Sequence, residues 1–168
     1  MLPRFVLSAT LLLPLVGCAS VAADCCTPRE DLAGLNEAKA RFLDAWSKAE
    51  GETWTTAKLD AVVDNSADFL SFDAMSQEKT VIRGHEAYAA IWGPGMNGFK
   101  TAKLSETESV RTWTHCDVGI TCSLVRIEGT FPDGTKIDLA GHMTLGWRRD
   151  AKTGWRAVHE HMSLGVKP

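Results

Sequence analysis

The sequence predicts an α+β domain in which N-terminal helices pack on a curved, mainly antiparallel sheet and leave a cone-shaped hollow between them. Three observations predict it. Apolar residues recur at helical spacing only in the first part of the chain, and from Thr101 onward the pattern is of β type. Tight turn signals separate the later strands, so these can only run back and forth. Helices first and a long meander last is the α+β order.

The elements follow in turn. Thr27-Pro28-Arg29-Glu30 is a capping box with proline at the first helical position. Leu32, Leu35, Phe42, Trp46 and Ala49 then form one apolar stripe, filled by Ala38 and Ala45, and predict a helix ending near Gly51. A second, shorter helix is expected from Thr56 to Val63. Ala67 to Asp73 reads as a strand and Thr80 to Arg83 as a short one. Gly84 leads into a small helix from His85 to Trp92, expected to stop at Gly93-Pro94-Gly95. Strands are predicted at Thr101–Thr114, Ile120–Phe131, Lys136–Arg148 and Gly154–Leu164. Pro132-Asp133-Gly134 and Asp150 to Gly154 are the turns between the last three.

Length and composition bound the function. A chain of 168 residues, 45% hydrophobic, is enough for one domain with a real core. The net charge of −3 comes with no basic cluster, which argues against nucleic acid as a partner. No Gly-x-Ser-x-Gly, phosphate loop or dinucleotide fingerprint is present, and no cofactor is implied.

The N-terminus reads as an export signal over residues 1–23, with the domain at 24–168. Arg4 supplies the positive charge, Phe5 to Val16 the apolar run, and Leu15-Val16-Gly17-Cys18 matches the bacterial lipoprotein box. Cys18 would carry the lipid and the protein would be periplasmic and membrane-anchored. A plain secretory cut after Val21-Ala22-Ala23 is the alternative. Four further cysteines remain, Cys25, Cys26, Cys116 and Cys122, an even number in an oxidising compartment. Cys116 and Cys122 could bridge each other if the turn is Asp117 to Ile120, but not if it is Cys116-Asp117. A bond from Cys25 or Cys26 to one of them is the other option.

The last strand carries the strongest site signal. Simple alternation puts Trp155, Ala157, His159, His161 and Ser163 on one face. With Arg148 opposite Trp155, the preceding strand adds His142 opposite His161 and Thr144 opposite His159. Imidazoles cost free energy to bury without partners, so this face is expected to wall a polar cavity. Structural histidines, each satisfied by a neighbour, are the bland alternative. A three-histidine metal site is the weakest, since no carboxylate or thiolate is placed to complete it. The opposite face, with Met143, Leu145, Trp147, Val158 and Met162, is too apolar for water and predicts a homodimer through the outer side of the sheet. Cover by the chain's own N-terminal segment is the rival.

The order of elements resembles the nuclear transport factor 2-like superfamily, and within it the SnoaL-like branch related to ketosteroid isomerase and to the association domain of calcium/calmodulin-dependent kinase II. The matching residues are Phe69-Leu70-Ser71-Phe72-Asp73, Arg83-Gly84, Gly141 to Arg149 and Trp155 to Ser163. The resemblance implies a conical pocket with Asp73 at its mouth, as a general base if burial beside Trp46 or Trp92 raises its pKa, or else as a solvated strand-end aspartate capping the next turn. Ketosteroid isomerase itself uses a tyrosine for the oxyanion. The single tyrosine here, Tyr88, falls on the small helix instead of the long first one, which argues against steroid isomerisation.

Three functions are therefore expected to compete. The leading one is binding of a small, partly apolar molecule, with Trp46, Tyr88, Trp92, His142, Thr144, His159 and His161 around it. The second is a cofactor-free isomerase, cyclase or hydratase using Asp73, His142 or His161 as base. The third is a dimerisation module without catalysis, since one scaffold hosts all three.

Overall fold

The computed structural model describes residues 28–75 and 81–165. The expected export signal, the expected lipidation residue Cys18 and the pair Cys25-Cys26 lie outside them. Among the described residues three helices, α1 (Pro28–Ala45), α2 (Ala57–Asp60) and α3 (His85–Asn97), accompany six strands. These are β1 (Leu70–Asp73), β2 (Val81–Arg83), β3 (Thr101–His115), β4 (Val118–Thr130), β5 (Lys136–Asp150) and β6 (Gly154–Leu164). They form one sheet in the order β2-β1-β6-β5-β4-β3. All neighbours are antiparallel except β1 and β6, which run parallel with Ser71 beside Glu160.

The long first helix lies on the sheet through the stripe its sequence predicts. Leu35, Ala38, Phe42 and Ala45 are buried. Burying a leucine or phenylalanine side chain is worth about 1.5–3 kcal/mol, so this stripe fixes the helix. The helix ends at Ala45, short of Gly51. Lys48 is the cause: its N–H donates to Ala102 O at 2.8 Å and its carbonyl accepts from Ala102 N at 3.0 Å, drawing the chain into a bridge with β3.

The third helix runs through Gly93-Pro94-Gly95 to Asn97, past its expected stop. Proline costs one backbone bond in a helix, and here tertiary ties outweigh that cost. The Asn97 side chain accepts from Trp54 N at 2.9 Å and donates to Trp54 O at 2.9 Å and to Gly93 O at 3.0 Å.

Bulges bend the sheet. Two interrupt the β3–β4 ladder, near Thr107 and Val110, and a third lies at Val158 in β6. An extra residue on one strand kinks it and increases its twist, which lets the sheet wrap the helices. Aromatics cluster between the helices and the sheet. Trp46 stacks on Trp54 at 5.7 Å and meets Tyr88 and Trp92 edge-on at 5.8 and 5.2 Å.

The third bulge decides which side chains enter the core. Ala157 donates its N–H to Val62 O at 2.9 Å and accepts from Asp64 N at 2.8 Å, so the segment after α2 occupies the edge of β6 there. Beyond it β1 takes over, with Leu70 beside His159. Val158 is the residue absorbed at the change of partner, and it inverts the alternation. Trp155 and Ala157 face inward before it, Glu160 and Met162 after it.

Candidate functional site

A cavity opens between the sheet, the end of α1 and α3, with room for water-sized centres of about 60 Å³ within about 540 Å³ of empty space that includes the open solvent at its mouth. Its walls are apolar: Trp46, Met75, Trp92, Met96, Phe99, Leu104, Ile127, Ile137 and Met162. Two carboxyl side chains, Asp73 and Glu160, break this lining, and Lys103 and Glu128, paired across β3 and β4, stand at the rim.

The two carboxyl groups are brought together by the parallel β1–β6 pair. Ser71 lies beside Glu160 and Asp73 beside Met162, all four with side chains turned inward. Glu160 is 4% exposed. Its Oε2 accepts hydrogen bonds from the Tyr88 hydroxyl and from Ser71 Oγ, the latter at 3.2 Å. Asp73, also buried, accepts at Oδ1 from Met75 N at 2.7 Å, closing the turn that follows β1.

Burial dominates the electrostatics. Loss of water raises the Glu160 pKa to about 7, the Tyr88 hydrogen bond pulls it down, the nearby Asp73 charge raises it, and the Ser71 hydrogen bond lowers it. Burial and the two carboxyl groups push Tyr88 well above its ordinary range, so it remains a donor. A buried carboxyl group poised near neutrality beside an aromatic cavity can give or take a proton at physiological pH. Two donors are unused. The indole N–H groups of Trp46 and Trp92 are enclosed and have no acceptor, a situation that costs about 1–3 kcal/mol per group.

No protein-family model matches the chain, and neither does any curated protein. Solved structures do. A nuclear transport factor 2-like (NTF2-like) superfamily protein from Salmonella enterica serovar Typhimurium superposes with a TM-score of 0.71 at 18% identity, over 83% of this chain and 94% of that one. A Streptomyces avermitilis protein, provisionally assigned as a dehydratase from the NTF2-like family, gives 0.63 at 17% identity, over 84% and 100%. The S. rosetta calcium/calmodulin-dependent kinase II hub gives 0.58 at 16% identity, over 83% and 98%. The chain has the NTF2-like fold.

Within this NTF2-like cone, the residues expected from sequence separate into two groups. Trp46, Trp92 and Asp73 line the cavity. Tyr88 is fully buried behind it and supports Glu160. His142, Thr144, His159 and His161 lie on the outer face of the sheet, away from the cavity. There His142 and His161 are exposed, and His159 hydrogen-bonds through Nδ1 to Leu70 O at 2.9 Å. Phe72 packs edge-on against both His159 and His161.

The expected hairpin register is corrected accordingly. His142 pairs with Ser163, Thr144 with His161 and Gly146 with His159, two positions from the expected partners. The polar set does share a face, but it is the outer one. Met143, Leu145, Trp147 and Met162 fill the interior instead of docking a second subunit. A histidine wall gives way to one glutamate, Glu160, which simple alternation places on the wrong side.

The β3–β4 turn is Cys116-Asp117, between the paired His115 and Val118, with Cys116 at φ 53°. Cys122 lies opposite Arg111, and six residues of strand, about 20 Å, separate it from Cys116. The two are not bridged to each other. Among the described residues no group of three or more His, Cys, Asp or Glu side chains is arranged to hold a metal ion.

Proposed function

We propose that this protein binds a small, largely apolar molecule in the conical cavity and presents it to the Asp73–Glu160 carboxyl pair. The observation that carries the reading is the contrast within the lining, which inside its charged rim is apolar and aromatic except for the two buried carboxyl groups. Cavities of this kind take their affinity from the walls and their orientation from the few polar groups. The supporting test is mass spectrometry of natively purified protein with its co-purifying small molecules, alongside Ala102→Phe, which places a ring in the cavity. A bound compound lost in that variant supports the reading. Equal recovery from both proteins overturns it.

A second reading is favoured by the Glu160 pKa of about 7: cofactor-free proton transfer, as an isomerase, cyclase or hydratase would need. Asp73 and Glu160 carry it in place of His142 and His161. Residues 1–23, with Cys18 as the lipidated residue, support an exported, membrane-anchored lipoprotein.

The homodimer is proposed on a new surface. Phe72, Val81, Trp113, Val118 and Ile120 are large, exposed hydrophobic residues on the outer sheet face. They fall in two apolar patches, Phe72 with Val81 on one edge of the sheet and Trp113, Val118 and Ile120 on the other, and the second patch fits a second copy of the chain; the hub protein similar in fold supports assembly.

A further inference from the structure

We propose that the ligand of this cavity is a small protonated amine with an apolar body, its ammonium group held by the Glu160 carboxyl. The proposal rests on the cavity-binding reading above and adds the chemical class of its ligand and the sign of its charge.

The hydrogen bonding of Glu160 is one-sided. Both of its protein donors, the Tyr88 hydroxyl and Ser71 Oγ, bond to the same oxygen, Oε2. A carboxylate has two oxygens with about four acceptor sites, and a buried one ordinarily uses both oxygens. Among the described residues no donor reaches Oε1. Nor is Oε1 sealed in: the enclosed side-chain atoms left without a partner belong to Trp46, His85, Trp92 and Thr112. Glu160 is 4% exposed, and the space it borders is the cavity. Its second oxygen therefore opens toward the ligand.

No cation of the described residues balances this group, although buried carboxylates are ordinarily paired. Tyr88, Asp73 and Ser71 act on Glu160, with no lysine, arginine or histidine among them. It takes part in none of the ion pairs. Lys103 stands at the rim, across from Glu128. Asp73, the charged neighbour that does reach Glu160, has the same sign.

The sign of the ligand follows. Two carboxyl groups repel a carboxylate or phosphate. A neutral acceptor finds no spare donor on Tyr88 or Ser71, since both are engaged by Glu160. An alcohol can donate to Oε1, but a hydrogen bond from a cation is roughly twice as strong. The walls add to the difference. Trp46, Trp92 and Phe99 line the same space, and aromatic rings attract a cation within about 6 Å of their centroids.

The experiment measures binding at pH 8 by indole fluorescence and calorimetry with shape-matched probes: isobutylamine with isobutanol, cyclohexylamine with cyclohexanol, benzylamine with benzyl alcohol and toluene, and benzoate as the anion. At least one amine should bind about tenfold tighter than its alcohol. That preference should narrow at pH 5, where Glu160 is protonated, and vanish in Glu160→Gln. In the wild type, saturating amine should move the 13C titration midpoint of the Glu160 carboxyl down from about 7 by about one pH unit. This readout keeps the test decisive should the variant fold poorly. Alcohols or toluene binding as tightly as the amines, or an unmoved carboxyl midpoint, would overturn the proposal and leave the cavity reading standing. So would an amine preference that survives Glu160→Gln, or tightest binding of benzoate. If no probe binds, the cavity reading falls and this proposal falls with it.

Discussion

The Tyr88 hydroxyl donates to Glu160, joining the small helix α3 to the last strand beneath the cavity floor. Both groups are buried, and the contact links two elements 72 residues apart in the chain. A carboxyl group in that position is stable only because the hydroxyl and Ser71 replace part of its lost water.

Tyr88→Phe removes that donor and keeps the ring. The Glu160 carboxyl then loses a stabilising contact to its charged form, so its pKa moves further above 7. At pH 8 the variant should be less stable by about 1–3 kcal/mol, and less affected at pH 5. Chemical denaturation at the two pH values, with 13C detection of the Glu160 carboxyl, measures both effects. Equal losses at both values would contradict this account.

Glu160→Gln tests the same group from the other side. Below about pH 4.5 the carboxyl is protonated folded and unfolded, and ionisation costs nothing extra. As pH rises through about 7 the unfolded chain is ionised but the folded one resists, so stability falls with pH. The loss approaches about 3 kcal/mol above pH 7. A neutral amide escapes it, so the variant should gain on the wild type between pH 5 and pH 8. A pH-independent difference would count against the raised pKa.

Gly119→Ala probes the packing of α1 on the sheet. A Cβ there would meet Leu35 Cδ2 at 2.8 Å and Trp113 O at 3.2 Å. Leu35 is fully buried and has little room to yield. Overpacking of this kind costs about 1–3 kcal/mol, read as a lower denaturation midpoint with unchanged slope.

Ile120→Lys tests the proposed outer-face dimer. Ile120 is 44% exposed and pairs with Trp113 and Gly146, so lysine there does not disturb the core. Sedimentation should show the wild type as a dimer and the variant as a monomer with near-identical thermal stability per chain. A monomeric wild type would refute the dimer.

The histidines show where reading the chain stops short. Their alternation correctly groups His142, Thr144, His159 and His161 on one face, because period two is a property of the strand itself. Which face is inward depends on Val158, and nothing in Ala157-Val158-His159 marks a bulge. The bulge exists because Ala157 bonds to the segment after α2, a contact more than 90 residues away in sequence. Glu160 was hidden by the same inversion. Its one signal is a lone acid that no longer faces solvent once the parity changes.

Local chemistry alone was sufficient for the helical stripe of Leu35, Ala38 and Phe42, the hairpin after Phe131 and the α+β order. Each depends on neighbours a few positions away, and hydrophobic spacing encodes those directly. Cavity contents, helix ends and the inward face of the sheet were settled only when distant segments met. Lys48 on Ala102, Asn97 on Trp54, and Val62 and Asp64 on Ala157 are such meetings. A backbone hydrogen bond between remote partners leaves no periodic trace, because any residue but proline can supply it.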